Sequence, residues 1–482
     1  MTLKLHKLIK AVEKTDIFDT FLHAKNYFSA SFAQKALAVI TLPIFTRLFT
    51  RADYGIVSVF QANLGILTIL ISLNSFASVG RYYYENKDDY REFLGTTFSL
   101  VGLILLLLIP LYLIFYGNMI ELTDLPGLLP LYLLIICIFE IVMKIYIQIL
   151  IPRKKSREYA LINVIRGYSA VGLAIILVMS LSSDRYRGQI WSKLIIGALV
   201  TGYILYKIIP LARFTFNWKH IKFIGSYSIP LMPYALSGVI LSQFDRIMIN
   251  KSIGEESAGL YSLGYNVGMI IVMVITATTS AHTPDFYKFM NNREYCRLDA
   301  LVRKIFSFYC LSALGLILFA KEIVFFLADK KFHPGLIVVP WVVIGYIFYG
   351  MFTVYGRYFG FLKKTYFNSI NVLASGILNI VLNAIYIPKY GYVAGAYTTA
   401  ISYAVMFLLT WLVARFILKV RIVPLWIIIR PCLILGFFLG INYVLTFLTI
   451  NIAISIILKI MIILISIIFL FSKEINEFRN KI

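Results

Sequence analysis

Apolar residues run along this chain in blocks of about twenty, separated by short polar intervals. A block of that length, at 1.5 Å per residue in a helix, matches the roughly 30 Å hydrocarbon core of a bilayer. Fourteen spans are expected, near residues 27–48, 55–80, 94–116, 127–150, 159–181, 188–210, 229–250, 257–283, 305–327, 335–357, 366–387, 391–414, 424–446 and 451–471. Backbone crosses lipid only where its N–H and C=O groups are bonded within the segment, so the reading is an all-α, polytopic membrane protein. Residues 1–26 mix Lys4, Lys7, Lys10 and Lys14 with Leu5, Leu8, Ile9 and Val12. They read as an amphipathic segment on the inner membrane face rather than a signal peptide.

The pattern repeats within itself. Lys154-Lys155 and then Ile162-Asn163-Val164 follow span four; Lys363-Lys364 and then Ile370-Asn371-Val372 follow span ten. Tyr54-Gly55-Ile56-Val57-Ser58 opens span two, and Ala258-Gly259-Leu260-Tyr261-Ser262 opens span eight at nearly the same offset. Two six-span halves in the same orientation imply a parallel repeat about an axis along the membrane normal. The expected organisation is a 1–26 cytoplasmic segment, a half over 27–212, a second half over 213–414, and two appended helices with a tail over 415–482.

Composition agrees. Of 482 residues, 60% are hydrophobic, and the mean hydropathy is +0.83. Only 14% are charged, against about 25% in soluble domains. The net charge of +23 comes from basic residues in short loops, where anionic headgroups rather than nucleic acid are the partner. Counting residues at span ends with their loops, 30 of the 46 Lys and Arg lie on one side, eight on the other and eight within spans. That asymmetry predicts cytoplasmic termini. The loops are too short to fold a soluble catalytic domain. No phosphate loop, HExxH or GxSxG is present, so the chain reads as a non-enzyme without cofactor or metal. Asp88-Asp89 reads as part of a solvated charged loop, and Cys137, Cys296, Cys310 and Cys432 have no metal spacing and no expected disulfide.

Charges at membrane depth carry the functional argument, because they are costly there and face bundle interiors or water-filled cavities. They are Lys35, Glu140, Lys144, Arg166, Lys193, Asp245, Arg246, Lys321, Glu322, Arg430 and Lys459, with Arg81 at the inner end of span two. Glu140 and Lys144, one turn apart, are expected to pair. Lys321-Glu322 reads as snorkelling to the surface, and Arg430 and Lys459 belong to the appended spans. Cations outnumber acids, and an excess of cation in low dielectric needs a counter-charge. Asp245-Arg246 either faces the interior or sits at headgroup level. His282 reads as a buried, hydrogen-bonded side chain, and most of the 33 Tyr as interfacial.

Three patches carry a family resemblance. One runs from Ile229-Pro230 through Asp245-Arg246-Ile247 to Gly254-Glu255-Glu256-Ser257-Ala258-Gly259-Leu260-Tyr261-Ser262. The others are Phe49-Thr50-Arg51-Ala52-Asp53-Tyr54-Gly55 with Gly80-Arg81-Tyr82-Tyr83-Tyr84, and Ile387-Pro388-Lys389-Tyr390-Gly391 with Gly395-Ala396-Tyr397. The chain thereby resembles Wzx-type oligosaccharide flippases of the multidrug/oligosaccharidyl-lipid/polysaccharide exporter superfamily. The resemblance implies a bacterial inner-membrane exporter of undecaprenyl-diphosphate-linked O-antigen or capsule repeat units, working by alternating access and coupled to an ion, H⁺ first and Na⁺ second. It also implies membrane lipids, a polysaccharide polymerase and chain-length proteins as partners. Arg81, Arg166, Arg246 and Lys35 are the expected contacts to the substrate anion, Asp245 the coupling residue, and Glu140 and Lys144 further switch candidates. A drug or cation antiporter of the same superfamily is one alternative and a membrane-embedded polymerase the other.

Overall fold

The computed structural model describes residues 39–445 and 451–472, with a few positions between 29 and 37. The expected N-terminal amphipathic segment and Lys35 lie outside the described residues. The chain divides into two compact units, Met1–Val239 and Ile240–Ile482.

The first unit holds α1 (Val39–Leu48), α2 (Arg51–Ser72), α3 (Phe76–Glu85), α4 (Tyr90–Ile114), α5 (Tyr116–Thr123), α6 (Leu129–Leu150), α7 (Ser156–Ser180), α8 (Tyr186–Ile208) and α9 (Trp218–Val239). The second holds α10 (Asp245–Ile253), α11 (Glu255–Gly268), α12 (Ile271–Asn291), α13 (Tyr295–Leu318), α14 (Ala320–Leu327), α15 (Val339–Phe361), α16 (Tyr366–Tyr390), α17 (Val393–Leu412), α18 (Trp426–Leu445) and α19 (Ile452–Leu470). Among the described residues thirteen helical segments are long and apolar enough to cross a membrane, and they fall on the second to fourteenth expected spans. The first span is described only in part, as the apolar helix α1.

Local chemistry explains the boundaries. The Thr50–Asp53 patch is a capping box: Asp53 N donates to Thr50 Oγ1 (3.0 Å) and Thr50 N to Asp53 Oδ2 (2.9 Å), starting α2. The internal repeat has a structural counterpart in the turns after α6 and α15. Lys154 (φ 56°) and Lys363 (φ 57°) are both left-handed. In each case the next lysine closes the same wide turn, Lys155 N to Leu150 O and Lys364 N to Phe359 O, the bond of a Schellman helix end. In the second unit α11 lies against the segment leading into α15 so closely that a Cβ on Gly264 would come within 2.2 Å of Gly335 O. The appended helices are fastened to their own unit by polar links. Ser307 Oγ donates to Leu470 O (3.1 Å), and Lys459 Nζ reaches Glu322 Oε1 at 2.6 Å. Glu322 and Lys459 are thus an interhelical pair, where Lys321-Glu322 had been expected to snorkel.

Candidate functional site

Among the described Asp, Glu, Lys and Arg side chains of the second unit the most buried is Asp245, at the start of α10. The helix leading to it is irregular. Pro230 and Pro233 lie inside α9, each removing a backbone N–H, and residues 240–244 form a π-helical turn, a feature frequent at functional sites. Gly254, at φ 115°, ends α10 in a conformation L side chains rarely adopt. Tyr261 lies two turns into the following helix.

Only neutral donors reach the Asp245 carboxylate among the described residues. Tyr261 Oη and Thr399 Oγ1 donate to Oδ2 at 2.5 and 2.8 Å, and Asn383 Nδ2 donates to Oδ1 at 2.6 Å. A second layer orients the first. Asn383 Nδ2 also donates to Asn379 Oδ1 (3.1 Å), Asn379 Nδ2 donates to Thr399 Oγ1 (3.2 Å), and Thr398 Oγ1 donates to Asn383 Oδ1. Asn379 and Asn383 are one turn apart on α16, and Thr398 and Thr399 adjoin on α17. The result is one buried carboxylate met by two hydroxyls and one amide N–H, three donors that favour its charged form. Among the described residues no three His, Cys, Asp or Glu side chains are grouped to hold a metal.

The second unit also holds two buried arginines that form no ion pair among the described residues. Arg246 donates to Ser242 O (2.8 Å) and lies 4.6 Å from the ring centre of Tyr265. Arg357, on α15, is 7% exposed and lies 5.6 Å from the ring centre of Phe286. Among the described residues its one hydrogen bond is a long one from Nη2 to Thr279 O (3.4 Å), and Nε and Nη1 are buried without a partner, as is Thr279 Oγ1. Sequence reasoning missed Arg357 because it closes span ten and was counted with the following loop. The absence of any acid near it on α15 was the available signal.

In the first unit Glu140 of α6 pairs with Arg166 of α7. The expected Glu140–Lys144 pair is not formed: Lys144 Nζ lies over the ring of Phe76 at 4.9 Å. An arginine from the adjacent helix offers the carboxylate a planar fork, which a lysine one turn along the same helix does not. Lys193 of α8 donates to Gln61 Oε1 (2.8 Å), a neutral acceptor. Arg81 is half-exposed and paired with Glu85 at 2.5 Å.

Asp89 is not the solvated loop residue expected. Tyr82 Oη donates to both its oxygens (2.9 and 2.8 Å), while Lys219 Nζ and His220 Nε2 lie 3.2 and 3.3 Å from Oδ2. The other nitrogen of the buried His220 is 3.2 Å from Thr96 Oγ1. Burial pushes the Asp89 pKa up, but the bonds from Tyr82, His220 and Lys219 outweigh it and hold the carboxyl below its ordinary value. This cluster ties the loop after α3 to the start of α9.

His282 Nδ1 accepts no hydrogen bond and lies 3.6 Å from Asp285. The four cysteines are free; Cys310 and Cys432 bring their sulfurs to 3.9 Å without a bond.

Fold and site together define an all-helical, multi-pass membrane protein with a buried carboxylate and surplus buried cations. The family model described as "Polysaccharide biosynthesis protein" matches residues 25–290, more than half of the chain, and the chain belongs to that family. A relative from Haloferax volcanii, "Probable low-salt glycan biosynthesis flippase Agl15", is 23% identical over 387 residues, covering 78% of this chain and 80% of its own. Among solved structures, the lipid II flippase MurJ in an inward closed conformation superposes with a TM-score of 0.71 at 20% identity, covering 93% of this chain and 99% of that one. An inward-facing multidrug resistance transporter of the MATE family gives 0.59 at 13% identity, covering 83% and 94%. These likenesses show the fold, which the chain shares with the flippase MurJ and with MATE transporters.

Proposed function

We propose that this protein flips undecaprenyl-diphosphate-linked oligosaccharide repeat units from the cytoplasmic to the periplasmic leaflet, supplying O-antigen or capsule assembly. The reading places it in a bacterial inner membrane with both termini cytoplasmic, beside a polymerase and chain-length proteins. The observation that carries it is a set of cations at membrane depth that form no ion pair among the described residues. Lys144, Lys193, Arg246 and Arg357 all lie within spans, and none reaches a carboxylate among the described residues. Leaving a cation in low dielectric without a partner costs several kcal/mol, on the order of 3–5 when an existing pair is broken. A diphosphate passing through supplies the missing charge, and the arginines bind its oxygens in a fork. A pathway for cationic drugs calls for the opposite excess. Arg166 and Arg81, already held by Glu140 and Glu85, reach the anion only by exchanging partners.

Asp245 is the coupling residue of this reading. A fully buried carboxylate met only by neutral donors gains from binding H⁺ or Na⁺, and its occupancy then biases the two units between inward- and outward-facing states. The test is reconstitution. Vesicles containing the protein and a fluorescent undecaprenyl-diphosphate oligosaccharide should show cargo transfer between leaflets that an imposed H⁺ or Na⁺ gradient accelerates. Efflux of cationic dyes without cargo transfer sinks the flippase reading in favour of the antiporter, and lengthening of the glycan chain sinks it in favour of the polymerase.

A further inference from the structure

A cleft of about 270 Å³ opens in the second unit where the starts of α13 and α18 meet the end of α19, away from the cations described above. Arg303 of α13 and Arg430 of α18 line it, with Trp426, Ile427, Ile434 and Leu470. Its one acid, Asp299, is spoken for: Arg421 Nη1 and Nη2 grip its two oxygens at 2.8 and 2.7 Å. Arg303 is half-buried and makes no ion pair or hydrogen bond among the described residues. Arg430 donates to Ser472 Oγ (3.0 Å) and, weakly, to Phe469 O (3.5 Å), both neutral. Two positive charges are therefore left facing the cleft.

The lining is graded. Trp426 begins α18 and is 63% exposed, as an interfacial anchor is. Arg430 lies four residues further in and Ile434 four more, about 6 Å per step along the helix. On the same two helices, α18 and α19, Leu433, Phe437, Ile465 and Phe469 are exposed apolar side chains, the surface a helix shows to lipid tails. Charge at the mouth and hydrocarbon beneath it is the shape of a phospholipid. A basic pocket between spans at the basic-loop side of a membrane protein is the form such headgroup sites take.

We propose that this cleft binds one glycerophospholipid with a net negative headgroup, of the phosphatidylglycerol class. Its phosphate lies between Arg303 and Arg430 and an acyl chain follows Ile427, Ile434 and Leu470. The lipid bridges α13 to the appended pair α18–α19, alongside the Ser307–Leu470 bond. Net charge selects it over a zwitterionic lipid, which carries its own cation beside the phosphate.

Native mass spectrometry of the full-length protein, titrated with phosphatidylglycerol or phosphatidylcholine, tests this. The wild type should retain one phosphatidylglycerol in preference to phosphatidylcholine. Arg303→Gln, which removes no hydrogen bond or ion pair among the described residues, should weaken retention about fivefold, and Arg303→Gln/Arg430→Gln about thirtyfold. Lys363→Gln/Lys364→Gln, which removes two exposed charges elsewhere, should leave it unchanged. Quenching by brominated phosphatidylglycerol should include a share that disappears in Trp426→Phe. Added phosphatidylglycerol should raise the unfolding temperature of the wild type and not of the double variant. Equal retention of both lipids, or wild-type retention by Arg303→Gln, overturns the proposal. Displacement of the bound lipid by undecaprenyl diphosphate at equal concentration overturns it too, by making the cleft part of the cargo route.

Discussion

Glu140 takes its ion pair across helices, from Arg166 of α7, and leaves Lys144 one turn along its own helix lying over Phe76. That choice fixes what each of the three does. Arg166 is committed to a carboxylate, whereas Lys144 is held by an aromatic face, an attraction of roughly 0.5–2 kcal/mol that an anion can outcompete.

Arg166→Ala should therefore act through Glu140. With its ion pair gone the carboxylate keeps only the more distant charges of Lys144 and Lys193, so membrane abundance and unfolding temperature should fall. Glu140→Gln/Arg166→Ala should recover part of both, as a double-mutant cycle between coupled residues requires. If Arg166→Ala instead inserts at wild-type abundance while export collapses, Arg166 contacts the cargo directly.

At Asp245 the expected outcome is loss of export at normal abundance. Asp245→Asn keeps the size of the side chain but removes the charge that H⁺ or Na⁺ binds. Surface polysaccharide in a strain lacking the native protein should vanish while the protein still reaches the membrane. Thr399→Val removes one oxygen beside the carboxylate. It should raise the Na⁺ concentration needed for transport if Na⁺ is the coupling ion; if H⁺ is, losing a donor to the charged form should instead move the pH dependence of transport. Near-normal export by Asp245→Asn would reduce the residue to a packing role.

The unpaired cations predict graded losses. Hydrogen bonds to charged groups contribute about 1.5–3 kcal/mol, so Lys193→Ala and Arg357→Ala should each cut cargo transfer roughly tenfold or more. Arg357→Lys should recover only part, since a point charge replaces a planar fork. Lys222→Ala, an exposed basic side chain, is the control. Normal transfer by both span variants would remove the anion argument.

The Asp89 cluster predicts a pH dependence of stability. The folded pKa lies below the ordinary value of 3.8. Its contribution is therefore fully present above 3.8 and is lost as pH falls through the lower folded value. Unfolding temperature measured from pH 7 to pH 3 should drop more steeply at the acid end for wild type than for Asp89→Asn, which should start lower at pH 7. Parallel curves would mean the cluster adds nothing.

The architecture was legible because length and apolar period are enough to mark a membrane helix. Asp245 and Arg246 were legible for the same reason, as charges inside an apolar block. What the sequence did not show was who partners whom. Asn379, Asn383, Thr398 and Thr399 are unremarkable polar residues in their own helices; only the packing of α16 and α17 against α10 gathers them on one carboxylate. Arg357 escaped notice because an arginine at a span end is as well explained by headgroups as by burial. Asp89 looked solvated among charged neighbours, yet its partners His220 and Lys219 come from about 130 residues later.

The π-helical turn at Ile240–Phe244 has a consequence for anyone tracing the seventh span by its periodicity. A widened turn amounts to one residue slipped into an otherwise regular helix, which shifts the phase of everything beyond it by about 100°. The face of α9 carried straight through would therefore assign Asp245 and Arg246 to the wrong side. A counterpart helix lacking the turn must be aligned to this one with a single-residue gap between positions 240 and 244.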